Sequence, residues 1–143
     1  MEVYIIIYLE VHMQVSNKKE VIGSPNAPKA VGPYSAAIKT GSFVFMSGQL
    51  GLDPQKGTLV EGGVEAQTKQ ALTNLQSILK SNGLDLDAIV KTTVFLQHVE
   101  DFAKMNAVYA EFFKTDPPAR STIEVAALPK GGLVEVEAIA LTA

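Results

Sequence analysis

Residues 117–125 read Pro117-Pro118-Ala119-Arg120-Ser121-Thr122-Ile123-Glu124-Val125. Two prolines fix φ, remove two amide donors and forbid helix, so a strand is expected to begin directly after them, from Arg120 to about Ala126. Arg120 then stands at the mouth of that strand on a stiff mount. A guanidinium held this way suits a planar carboxylate, which it grips with two parallel hydrogen bonds. The same pattern also fits a surface arginine flanking a strand, and this stretch alone leaves both readings open.

Downstream, Leu128-Pro129-Lys130-Gly131-Gly132 is a connection, and Leu133–Leu141 (LVEVEAIAL) closes the chain as a strand. Alternation puts Val134, Val136, Ala138 and Ala140 on one face and Glu135, Glu137, Ile139 and Leu141 on the other. Two carboxylates beside apolar residues call for exposure, a partner or a wet cleft. Upstream, Glu100-Asp101 opens a helix running to about Phe113, with Phe102, Met105, Tyr109 and Phe112 or Phe113 on its apolar face and Asn106 at its border. Asn106 reads either as a plain boundary residue or as a polar group at the rim of a pocket. Ile89–Leu96 (IVKTTVFL) is rich in β-branched residues and reads as a central strand.

The longest helical pattern runs from Gly62-Gly63 to Ser81, with Val64, Thr68, Ala71, Leu72, Leu75, Ile78 and Leu79 in one stripe and Asn82-Gly83 as its stop. Phe43–Ser47 is an apolar run between glycines, expected to be a strand buried on both faces. Lys18–Ile22 fits a short edge strand, and Ser24–Pro33 is a proline- and glycine-rich loop. The order is strands, helix, strand, helix, two strands. It predicts an α+β domain: a mixed sheet of five to six strands with two helices on one face. The sheet's other apolar face is left to association, so a homo-oligomer is expected, and a closed trimer is one solution.

Composition bounds the function. The chain has 143 residues, 47% hydrophobic and 19% charged, which fits one folded domain over 14–143. Residues 1–13 form an extension, read as an added strand or as residues ahead of an alternative start at Met13. Its apolar run, Val3–Leu9, is too short to span a bilayer and lacks the marks of a signal or transit peptide. A net charge of −3 offers no broad basic surface for nucleic acid. The absence of cysteine removes disulfides, thiolate catalysis and cysteine-based zinc sites. It suits a reducing cytoplasm, with mitochondrion or plastid left open.

Several short motifs occur in one order: Gly32-Pro33-Tyr34-Ser35, Ser47-Gly48-Gln49, Val90–Leu96, Asn106 with Val108-Tyr109, Pro118-Ala119-Arg120-Ser121, Val125–Pro129 and Glu135–Ala140. In combination they resemble the Rid family (YjgF-type, reactive-intermediate imine deaminases) from about Lys19 to the C-terminus. The resemblance implies a chorismate-mutase-like fold and a homotrimer with sites between subunits. It implies hydrolysis of 2-imino acids, 2-iminopropanoate (from 2-aminoacrylate) and 2-iminobutanoate, to 2-oxo acids and ammonia, without cofactor or metal. Such imines arise from the enamines that pyridoxal-phosphate-dependent dehydratases release. By position, Arg120 is similar to the family's carboxylate-binding arginine and Glu135 to its water-positioning glutamate. Tyr34, Ser47, Gly48 and Asn106 match its substrate-binding residues. Ala36 and Thr122 depart from the common pattern, which more often has glutamine and, in some members, cysteine there.

If the last two strands form a simple hairpin about Pro129-Lys130, Arg120 faces roughly Ile139, about 13 Å from Glu135. Each pocket would then draw on two subunits. Two other functions remain in view: a small-carboxylate-binding regulatory module that uses Arg120 without catalysis, and an endoribonuclease or translation inhibitor using His12 and His98. The acidic balance disfavours the latter. Chorismate-mutase activity could share the fold, but fold does not fix function.

Overall fold

The computed structural model describes residues 17–143, so the expectations for residues 1–13 lie outside the described residues. Six strands and two helices follow in the order β1 (Glu20–Ile22), β2 (Ala37–Thr40), β3 (Phe43–Leu50), α1 (Gly63–Lys80), β4 (Ile89–Leu96), α2 (Phe102–Phe112), β5 (Ala119–Glu124) and β6 (Val134–Leu141). They make one mixed sheet, ordered β1-β2-β3-β6-β4-β5. The pairs are antiparallel except β4 with β5, which α2 joins as a parallel crossover.

The α+β expectation holds, but the last two strands are not a hairpin. The C-terminal strand enters the middle of the sheet, between β3 and β4, while β5 is left at the edge. The reason lies in the side chains. One face of β6 is wholly apolar (Val134, Val136, Ala138, Ala140) and gains most between two partners, and the half-polar β5 (ARSTIE) tolerates an edge.

Both helices cover one face. Val44 and Met46 of β3, Val134, Val136, Ala138 and Ala140 of β6, and Val94 and Leu96 of β4 meet Ala71, Leu72, Leu75, Ile78 and Leu79 of α1 in the core. Helix α1 ends where expected: Gly83 takes φ 76°, and Leu84 N–H closes the last turn on the Leu79 carbonyl at 2.9 Å. Its stripe is not purely apolar. Buried Asn74 donates to the carbonyls of Leu50 and Leu52 at 3.2 and 3.0 Å, and Gln67 accepts from Leu133 N–H at 2.8 Å. These amides satisfy backbone groups where β3 ends and β6 begins, and so fix the floor of the cleft described below.

Strand β3 is not buried on both faces. Val44 and Met46 are in the core, whereas Phe43 and Phe45 are 44% and 45% exposed. Phe45 faces Ile139 and Phe43 faces Leu141 across the ladder, so an apolar patch lies on the sheet face away from the helices. Leu75, fully buried on the sheet-facing side of α1, tests the core. Leu75→Ala should cost about 3 kcal/mol in urea denaturation at fixed protein concentration.

Candidate functional site

A β-bulge builds the first half of the site. Between Met46, which faces Ala138, and Gln49, which faces Val136, β3 carries one residue more than β6. The extra residue falls at Ser47-Gly48 and reverses the in–out alternation, so that Gln49 becomes buried. Ser47 is pinned to the preceding loop: its N–H donates to the Ala36 carbonyl at 2.9 Å and its Oγ to the Ser35 carbonyl at 2.6 Å. Gly48 lies against the Glu135 side chain so closely that a Cβ there would collide with its carboxylate and with Cγ. Glycine at 48 therefore lets the Glu135 carboxylate take this position, which any side chain there would force it to leave.

Tyr34, Ser47, Gly48 and Glu135 line one cleft of about 710 Å³, together with Gln49, Glu137, Lys29, Lys56 and Lys130. Glu135 is half-buried and its carboxylate makes no hydrogen bond or ion pair among the described residues. Burial raises its pKa above the ordinary 4.5, and the neighbouring Glu137 carboxylate pushes the same way. Lys130 sits in the left-handed region at φ 57° and donates to the Gly57 carbonyl at 3.0 Å, tying two rims of the cleft together. Lys29, Lys56 and Lys130 carry no signal in the sequence, because loop lysines acquire a role only once their loops are placed.

Arg120 is elsewhere. Its ladder partner on β4 is Thr92, whose partner on β6 is Ala138. Thr92 and Ala138 are buried on the helix side, so Arg120 points toward α2. Its guanidinium carbon lies 4.6 Å from the Tyr109 ring centroid and 5.6 Å from that of Phe102. Asn106 lies between those two aromatics along the same side of α2. Glu135 faces the opposite side of the sheet. Within one chain the two are separated by three residues along the strands and two strands across, about 10 Å each way, and by the sheet itself. The hairpin geometry is thus corrected. Arg120 stands opposite the Ala138 row, not Ile139, and the separation from Glu135 is more complete than that geometry required.

Comparison with known proteins bears on the whole domain. Residues 24–142 match the family model described as endoribonuclease L-PSP. A RutC family protein of Pyrococcus horikoshii is 52% identical over 85% of this chain and 97% of its own length. The Bos taurus protein named 2-iminobutanoate/2-iminopropanoate deaminase is 50% identical over 86% of this chain and 90% of its own. Among solved structures, Escherichia coli TdcF with bound serine superposes with a TM-score of 0.82 at 40% identity, covering 86% of this chain and 98% of that one.

The Gly48–Glu135 contact is open to a double-mutant cycle. Gly48→Ala alone should destabilise the fold by about 1 kcal/mol, because the half-buried Glu135 carboxylate can swing into the cleft. In a Glu135→Ala background, where the obstructing carboxylate is gone, most of that cost should vanish, as read by urea denaturation.

Proposed function

Because the chain belongs to the endoribonuclease L-PSP family, the Rid (YjgF-type) proteins, we propose that it hydrolyses 2-iminopropanoate and 2-iminobutanoate to 2-oxo acids and ammonia at sites shared between two protomers. One protomer supplies Glu135, Ser47, Gly48 and Tyr34; its neighbour supplies Arg120 and Asn106. The observation that carries this reading is the placement of Arg120 and Glu135 on opposite faces of one sheet, neither with a partner of opposite charge among the described residues. An edge-strand arginine and a cleft glutamate become neighbours only when a second copy brings its edge to the cleft. The exposed Phe43, Phe45 and Leu141 supply apolar surface for that association. A closed homotrimer repeats the contact without leaving a free end.

The chemistry asks little of the protein. The imine carbon is already electrophilic, and positioning is the main contribution. Arg120 takes the substrate carboxylate in a two-point grip. Glu135 accepts a proton from water as the water oxygen bonds to C2 of the protonated imine and the C=N π pair moves to nitrogen, leaving a neutral amino group beside a hydroxyl. The proton on Glu135 then passes to the amino group, the C–N bond breaks as the hydroxyl oxygen closes the C=O and returns its proton to Glu135, and that proton leaves with ammonia as ammonium while the 2-oxo acid remains. Asn106 and Tyr34 bound the pocket, and Ser47 with the close-packed Gly48 holds the Glu135 side in register. His98 is exposed just past the end of β4 and does not line the cleft, and His12 lies outside the described residues. No helix among the described residues is long and apolar enough to cross a membrane. The cysteine-free chain suits the cytoplasm, the compartment this reading assigns.

In a threonine dehydratase-coupled assay, added protein should accelerate 2-oxobutanoate release, and Arg120→Ala and Glu135→Ala should each reduce kcat/KM by about 10²-fold or more. Mixing the two inactive variants should restore part of the activity through hybrids. A ligand-binding module would leave the release rate unchanged. Glu135 works only when ionised, so its raised pKa should shift the acid limb of the rate profile upward from 4.5. Glu135→Gln should remove that limb.

A further inference from the structure

We infer that Phe102, Tyr109 and Thr92 form a seat that orients Arg120 for carboxylate capture, and that all three are positioning residues of the reaction. The inference rests on the reading of Arg120 as the carboxylate grip and adds what holds it. A guanidinium has two faces and a rim of N–H donors. Here two rings receive it: the guanidinium carbon lies over the Tyr109 ring at 4.6 Å and over the Phe102 ring at 5.6 Å, both within cation–π range. The donors make no hydrogen bond or ion pair among the described residues. Aromatic contact thus holds the group in place while leaving its N–H donors for a ligand.

The seat is itself anchored. The Tyr109 hydroxyl and Thr92 Oγ1 are 2.7 Å apart in a hydrogen bond, and Thr92 is the direct ladder partner of Arg120. The Tyr109 ring also packs on Phe113 with centroids 4.6 Å apart. Tyr109 is 5% exposed and belongs to the core, but Phe102 is 41% exposed. An aromatic so exposed contributes little to the core. Its contact with the guanidinium gives it a different use.

An acid pulled toward an untethered arginine must first order four rotatable bonds. A seated arginine has lost that freedom already, so the seat acts on binding of the carboxylate more than on the later bond changes. Phe102→Leu should raise KM roughly tenfold with kcat changed less than about threefold. Its Tm should stay at the wild-type value, and Phe102→Trp should restore KM. Tyr109→Phe, which keeps the ring but loses the bond to Thr92, should raise KM by a smaller factor. Binding of 2-oxobutanoate, measured by titration calorimetry without turnover, separates the seat from the reading beneath it. If Arg120→Ala loses binding and Phe102→Leu weakens it, the seat stands. If Arg120→Ala loses binding while Phe102→Leu binds like wild type, the seat is overturned and the grip survives. If Arg120→Ala binds like wild type, the grip falls and the seat falls with it.

Discussion

The ladder that inserts the C-terminal strand between β3 and β4 governs everything else in this molecule. Register along it sends side chains alternately to the helices and away from them. Through Val136 and Ala138 it fastens the sheet to α1; through Glu135 it aims a carboxylate at the cleft on the far side. Carried one strand further, the same alternation turns Arg120 toward α2. A slip of one residue would bury Glu135 under the helices and expose four core side chains. Core and site are therefore two readings of one set of hydrogen bonds.

Much of this was legible in the residues. Helical spacing marked α1 to within a residue or two at each end, and alternation assigned the two faces of β6 correctly. Elements whose identity depends on local pattern could be read because local pattern is what the chain displays. Strand order could not. Nothing in β5 or β6 alone says that β4 will lie between them, since pairing is decided by which combination buries the most apolar surface. The doubly buried reading of Phe43–Ser47 failed for a related reason. An apolar run is the same whether its second face meets the protein's own helices or is left exposed.

The site shows the same division. Tyr34, Ser47, Gly48 and Glu135 were picked out by motif, and the structure gathers them in one cleft. Arg120 and Asn106 were picked out equally well, yet they lie on the other face. The bulge at Ser47-Gly48 was invisible, because an extra residue in a strand is defined only against its partner. Phe102 and Tyr109 looked like ordinary core positions on an amphipathic helix. Their contact with Arg120 depends on the parallel crossover, which brings the start of β5 under α2.

The opposite-face placement of Arg120 and Glu135 has a genetic consequence under the shared-site arrangement. Every site needs two sound chains, so where intact and defective copies mix freely, the fraction of complete sites falls as the square of the intact share. A chain that still assembles but has lost both side chains would poison its neighbours as well as failing itself. Such an allele would behave as dominant, while one that prevents folding altogether would merely lower the dose.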